Sequence, residues 1–202
     1  MDHFYKKLNN IVKFINKSNL SYNIKNKYDG RICSLLNEER IIKKITTKFQ
    51  YAYSNNNTRS LGDFYITHQN KEYPVNLKLI SVNNKGYNNL VGLPRIMKYL
   101  FFNDKKIKVS YEGITTGIIN NNFSEEMNDY GILVIQKETG KCYGTSLLRI
   151  ESIKSNPTNG FQFKDIETIE RTPRESKNFI ITNFKSVLKK RAHPYLLMNN
   201  NK

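Results

Sequence analysis

Three residues, Asp63, Asn76 and Lys78, stand where a β-hairpin would gather them. They belong to two segments, Arg59-Ser-Leu-Gly-Asp63-Phe-Tyr-Ile and Glu72-Tyr-Pro-Val-Asn76-Leu-Lys78-Leu-Ile, joined by a turn rich in Gln and Asn. Strand side chains alternate faces with a period of two. Asn76 and Lys78 therefore share one face, and Val75, Leu77 and Leu79 take the other. Asp63 precedes Asn76 by 13 positions, a distance that suits a neighbouring hairpin strand. A carboxylate, an amide oxygen able to ligate a metal, and an ammonium would then converge. That set suits metal-assisted cleavage of a phosphodiester. Mg²⁺ takes oxygen ligands, keeps several waters, lowers the pKa of bound water and polarises a phosphate. Lys78 would orient or help deprotonate the attacking water and face the charge that develops around phosphorus.

The elements that must position this trio can be read from periodicity. Residues 62–67 and 72–82 form the hairpin. Upstream, Phe4, Leu8, Ile11, Val12 and Ile15 recur at helical spacing over residues 4–16. Ile32, Leu35, Leu36, Ile41, Ile42, Ile45 and Phe49 do the same over 32–49. Loops are expected at 18–30, at Asn55-Asn56-Asn57 and at Asn83-Asn84-Lys85-Gly86. Residues 89–102 read as a short helix with Pro94 in its first turn. Residues 106–111 alternate like a strand, and 130–136 read as a buried strand. Glu138-Thr-Gly140-Lys141 signals a hairpin turn, 142–150 the returning strand, and Asn156–Gly160 a loop. Residues 174–191 predict a basic helix with Phe179, Ile180, Phe184, Val187 and Leu188 inward. This order predicts an α/β fold: a single domain with a mixed central β-sheet flanked by helices. Within it, 1–28 would be a helical arm, 29–110 the core that carries the chemistry, and 111–202 the completion of the sheet, the contacting loops and the C-terminal helix.

Charge narrows the partner. The chain has 202 residues, 33 of them basic and 17 acidic, a formal +16. Such a field concentrates polyanions, so DNA or RNA is the expected partner. An AT-rich coding bias would favour Lys, Asn and Ile, but it does not explain why Asp and Glu are few. An anionic membrane fits less well, since no segment is long and apolar enough to span one. The start of the chain reads as an amphipathic helix, not a signal peptide. Two cysteines, Cys33 and Cys142, make neither a disulfide framework nor a zinc site, which fits a reducing cytoplasm. Cys33 is expected to be a small buried residue. His3, His68 and His193 share no metal spacing, and His68 is expected in the hairpin turn, exposed to solvent. The sequence contains no GxxxxGK[ST] and no HExxH.

The hairpin resembles the PD-(D/E)xK nuclease motif, whose family includes most type II restriction endonucleases. Asp63 matches its first acidic residue and Lys78 its lysine. Residue 62 is Gly where the motif has Pro, a position the family varies freely. Residue 76 is Asn where the family usually has Asp or Glu, although some restriction endonucleases carry Asn or Gln there. Gly30-Arg31-Ile-Cys-Ser34-Leu-Leu-Asn37-Glu38-Glu39 and Asn156-Pro157-Thr-Asn159-Gly-Phe161-Gln162-Phe also resemble segments of small type II enzymes whose strand reads P-V-N-(I/L)-K. The resemblance runs in patches from residue 28 to residue 190. It implies a bacterial cytoplasmic enzyme with a restriction-endonuclease-like fold. Its activity would be Mg²⁺-dependent, site-specific hydrolysis of double-stranded DNA, by a symmetric homodimer on a palindromic site. It also implies that Asp63 and Asn76 ligate the metal. Asn76 adds no charge, so metal affinity should be weaker, or a carboxylate from the preceding helix should compensate. Glu38 is favoured over Glu39 for that role; a solvated charge pair is the competing account.

Asn and Gln can read adenine in the major groove, and Arg or Lys can read guanine. Asn83, Asn84, Lys85, Asn88 and Asn89 follow the second strand and are candidates to contact DNA. Asn120, Asn121, Asn122 and Gln162 are further candidates, against the plainer account of loop composition. Lys185, Lys189, Lys190 and Arg191 would touch phosphates or solvent. Two rival functions share these features. One is a non-catalytic nucleic-acid-binding protein with a decayed site at Asn76; the other is a repair or recombination nuclease of the same fold without site specificity.

Overall fold

In chain order the elements are α1 (Asp2–Lys17), α2 (Gly30–Lys48), β1 (Ala52–Tyr53), β2 (Phe64–His68), β3 (Lys71–Ile80), β4 (Asn88–Leu90), α3 (Leu93–Phe101), α4 (Tyr111–Ile119), β5 (Gly131–Gln136), β6 (Cys142–Ser146), β7 (Lys154–Asn156), β8 (Gly160–Phe163) and α5 (Pro173–Lys190). This computed structural model describes residues 2–18, 30–55, 60–81, 88–164 and 166–191, without the side chains of residues 2 and 30–35. The side chain of Cys33 and the turn at 83–86 lie outside that description. The architecture is mixed α/β, as the element order predicts: a mixed five-stranded sheet β1-β2-β3-β5-β6 flanked by helices, and a three-stranded sheet β4-β8-β7. By contacts, the chain groups into Met1–Lys85 with Asp129–Leu147, and Gly86–Asn128 with Leu148–Lys202.

The first unit holds the five-stranded sheet. β2 and β3 are joined by Gln69-Asn70, with φ of 48° and 61°. Positive φ at both central residues makes the two-residue turn that matches strand twist. The register runs from His68↔Lys71 to Phe64↔Val75. β3 then pairs in parallel with β5, from Val75↔Gly131 to Ile80↔Gln136, and β5 pairs antiparallel with β6. One sheet face carries Phe64, Ile66, Val75, Leu77, Leu133 and Ile135. They are buried together with Phe4, Leu8, Ile11 and Ile15 of α1 and Ile41 and Ile45 of α2. Period two in the strands and period 3.6 in the helices thus supply one core. On β6, the last strand of the sheet, Asn16 Nδ2 donates to the Cys142 carbonyl (3.0 Å), while the Cys142 N–H donates to Asn16 Oδ1 (2.7 Å). One side-chain amide thus satisfies two backbone groups.

His68 differs from expectation. It is half-buried, stacked on His3 with centroids 4.7 Å apart, and its Nε2 is shielded from solvent. It closes β2 on the same side as Phe64 and Ile66, so the first turn of α1 covers it. Lys7 Nζ donates to the Thr67 carbonyl nearby (2.6 Å). Loss of hydration lowers the His68 pKa first, and the charges of Lys7, His3 and the N-terminal amine lower it further.

In the second unit, Pro94 sits in the first turn of α3, as expected, but residues 88–90 form a strand before it. Residues 106–110 are turns, not a strand. Ser110 caps α4, its hydroxyl accepting from the Gly113 N–H (3.0 Å). Ile107 is buried alone in that stretch, packing where Gly117 leaves space beside Phe102. Residues 142–150 hold a strand only to Ser146. The expected loop at 156–160 is a tight hairpin between β7 and β8. Asn156 Oδ1 accepts the N–H groups of Thr158 (2.8 Å) and Asn159 (2.9 Å) within it. α5 starts with a capping box between Thr172 and Glu175 and buries Ile180, Phe184, Val187 and Leu188. Phe179 is half-buried beneath the Arg171 guanidinium. Among the described residues no helix is long and apolar enough to cross a membrane.

The lowered pKa of His68 sets a sign for acid stability. The folded state disfavours its proton, so its contribution is complete above the unfolded value and is lost as pH falls through the folded one. Between about pH 7.5 and pH 5.5, wild type should lose more melting temperature than His68→Gln. Equal losses in the two proteins would contradict this.

Candidate active site

Asp63 immediately precedes β2. Its N–H donates to the Val75 carbonyl (2.9 Å), the same residue that pairs with Phe64, so the chain bulges off the ladder at Asp63. Its Oδ2 accepts the Leu77 N–H at 2.6 Å. The carboxylate therefore lies against β3 beside Asn76 and Lys78. Alternation puts these two on the face opposite the α1–α2 core, in register with Ile132 and Val134 of β5. All three site residues are half-buried.

The electrostatics are unbalanced in a useful way. Burial raises the Asp63 pKa above its ordinary value, and the Leu77 N–H and the Lys78 charge offset only part of this. A cation at this carboxylate would favour its charged form. Asn76 Oδ1 is sealed from solvent and has no hydrogen-bond partner. An acceptor left so costs about 1–3 kcal/mol. The Asp63 carboxylate and the partnerless Asn76 amide oxygen are donors of the kind a hard divalent ion takes. Among the described residues no group of three or more His, Cys, Asp or Glu side chains could hold a metal.

The segment before Asp63 is pinned by side chains that periodicity did not mark. Ser60 Oγ donates to the Gly62 carbonyl (2.8 Å) and meets the Tyr65 hydroxyl (2.9 Å). That hydroxyl accepts the Leu61 N–H (3.0 Å), and the Tyr130 hydroxyl donates to the Leu61 carbonyl (3.1 Å). Gly62, read as a freely varied position, is constrained in this chain. A Cβ there would lie 2.7 Å from Val75 N and 2.9 Å from Pro74 Cβ. Asp129, also missed, is 1% exposed just before β5, and its Oδ1 accepts the Tyr130 N–H (2.8 Å). The only sequence signal for Tyr65 was its alternation onto the Asp63 face; Asp129 carried none.

The other expected residues fall in several places. Glu38 is half-buried on α2, whose Ile41 and Ile45 pack on the opposite sheet face, and Glu39 is exposed. Arg59, Asn83, Asn84 and Lys85 lie outside the described residues. In the second unit, Asn89 pairs with Gln162, and Gln162 Nε2 donates to Asn89 Oδ1 (2.6 Å). Asn156 Nδ2 donates in turn to Gln162 Oε1 (3.3 Å), and Lys154 is the register partner of Gln162 on β7. Asn88 pairs with Phe163 and alternates to the other face. Asn120 and Asn121 are exposed at the end of α4, with Asn121 at a φ of 54°. Lys185 and Lys189 are exposed, whereas Lys190 Nζ donates to the Ser155 carbonyl (2.8 Å) and Arg191 lies 4.3 Å over the Tyr111 ring. No family model matches this chain, and no curated protein matches it.

Gly62→Ala should push β3 away from Asp63. We expect a loss of about 1–3 kcal/mol in denaturant unfolding, together with faster hydrogen exchange at the Leu77 amide. Unchanged stability and exchange would show that the segment has room for a side chain.

Proposed function

We propose that this chain is a Mg²⁺-dependent endonuclease of the PD-(D/E)xK kind, a type II restriction enzyme acting on double-stranded DNA. The observation that carries the reading is the sealed, partnerless Oδ1 of Asn76, next in sequence to the Leu77 N–H that holds the Asp63 carboxylate and on the face that also bears Lys78. Asp63 and Asn76 would hold the ion. When bound, it would supply an acidified water and polarise the scissile phosphate. Asp63 is kept in place by the Leu77 N–H, so its free oxygen remains for that ligand. Lys78 orients the attacking water and stabilises negative charge as it gathers around phosphorus. The water oxygen joins phosphorus, the bridging oxygen leaves, and a proton follows it.

Charge supports the substrate. A formal +16 draws in DNA, and the chained amides of Asn156, Gln162 and Asn89 form a pre-oriented polar row beside Lys154. Such amides suit adenine, and Lys suits guanine, in the major groove. A homodimer follows from the chemistry, since one site cuts one strand and a two-fold pair matches a two-fold sequence. The bacterial cytoplasm is the compartment that goes with this reading. A second reading, a nucleic-acid binder without catalysis, draws support from the Asp63–Leu77 bond, because capping the strand ladder is a structural use for that carboxylate.

Incubation of plasmid DNA with Mg²⁺ should yield discrete fragments. A smear would mean cutting without site specificity, and a mobility shift without cutting would favour the binder. Lys78→Ala should slow cleavage roughly a hundred- to a thousandfold while DNA binding persists; normal cleavage would remove Lys78 from the site. Asn76→Asp should stay active with a changed Mg²⁺/Mn²⁺ preference, and complete insensitivity would place Asn76 outside the metal's reach.

A further inference from the structure

The helices on the other side of the five-stranded sheet carry a second feature. Phe14 and Ser18 of the α1 end and Arg40, Lys43, Lys44, Thr47 and Lys48 of α2 line a groove of about 560 Å³. Arg40, Lys44 and Lys48 recur every four residues, which stacks them on one helical face about 6 Å apart along the axis. Lys43 and Thr47 border the same stripe. The walls hold cations of one sign only: neither residues 3–18 nor residues 40–62 contain an Asp or Glu. Glu39 stands four residues before Lys43 outside the lining, but Arg40, Lys44 and Lys48 have no acidic neighbour at i±3 or i±4. The floor is aromatic. Phe14 is half-buried, set edge-on to Phe49 with centroids 5.4 Å apart.

We propose that this groove binds single-stranded nucleic acid. Phosphates would lie along Arg40, Lys43, Lys44 and Lys48, and a base would enter against Phe14. Charge decides for a polyphosphate chain, because four like cations held together on a rigid helix repel one another until an extended anion neutralises them. The aromatic floor decides for a single strand, because cationic grooves with aromatic stacking surfaces suit unpaired bases, whereas a duplex hides its base faces. An acidic peptide would use the cations but gain nothing from Phe14 beyond apolar contact. The groove lies across the sheet from Asp63, Asn76 and Lys78, so its occupancy does not depend on the hydrolytic reading.

The test is fluorescence anisotropy of a labelled oligothymidylate with the full chain, in EDTA, over a salt series. Arg40→Gln with Lys44→Gln should weaken binding about tenfold and lower the slope of log K against log salt by about 1.4, two contacts at about 0.7 each. Lys105→Gln with Lys106→Gln removes the same charge from exposed positions elsewhere and should change both far less. Phe14→Leu should weaken binding roughly five- to a hundredfold at an unchanged salt slope. Circular dichroism melting confirms that each variant is folded, and the surface pair keeps the test decisive if Phe14→Leu is not. The proposal is overturned if the Lys105/Lys106 pair costs as much as the groove pair, which would leave only a diffuse field. It is also overturned if polyglutamate displaces the oligonucleotide as well as an unlabelled strand of equal charge does.

Discussion

The β2–β3 register, set at one end by Gln69 and Asn70 in left-handed conformations and closed at the other by Phe64 and Val75 with Gly62 packed close, brings the Asp63 carboxylate to the Leu77 N–H beside Asn76. The side-chain period of a strand is two, so a slip of one residue would exchange the faces of β3. Asn76 and Lys78 would enter the α1–α2 core, and Val75 and Leu77 would take their places. The buried cluster around Phe64, Ile66, Val75 and Leu77 resists that exchange. Packing on one face therefore secures the polar arrangement on the other.

That arrangement is held under electrostatic tension. Asp63 is partly desolvated, and only a backbone N–H and the field of Lys78 offset the loss. The neighbouring Asn76 oxygen lacks any donor. Both groups would gain from the same thing, a positive charge with open coordination positions. An amide at position 76, where a second carboxylate would add charge, lowers the repulsion the fold must bear before the ion arrives. It also lowers the attraction once the ion is there, so such a site should bind its ion weakly.

The hairpin and the helices α1, α2 and α5 were legible because their apolar residues repeat over many turns or alternate over whole strands. Where burial is a single residue, periodicity misleads. Ile107 made a false strand out of a turn, while α4, with two glycines and two adjacent threonines, gave no helical pattern. β7 and β8 are too short to outweigh the Asn-Pro-Thr-Asn-Gly turn between them, so the hairpin read as a loop. The Asn76 and Lys78 faces followed from alternation alone, whereas Asp63, expected within the strand, lies just before it and reaches β3 through the Leu77 N–H. The Ser60, Tyr65 and Tyr130 bonds that pin the segment did not, because they join residues up to 69 positions apart and depend on tertiary contact. His68 was misplaced for a similar reason: its cover comes from α1.

The central claim is that Asp63 and Asn76 share a divalent ion, and paramagnetic broadening by Mn²⁺ in amide NMR spectra addresses it without any turnover. The Leu77 backbone amide and the Asn76 side-chain amide should broaden first as Mn²⁺ is added, and Asp63→Asn should abolish the effect while leaving the rest of the spectrum folded. Broadening that spares both signals, or that persists unchanged in Asp63→Asn, would contradict the account.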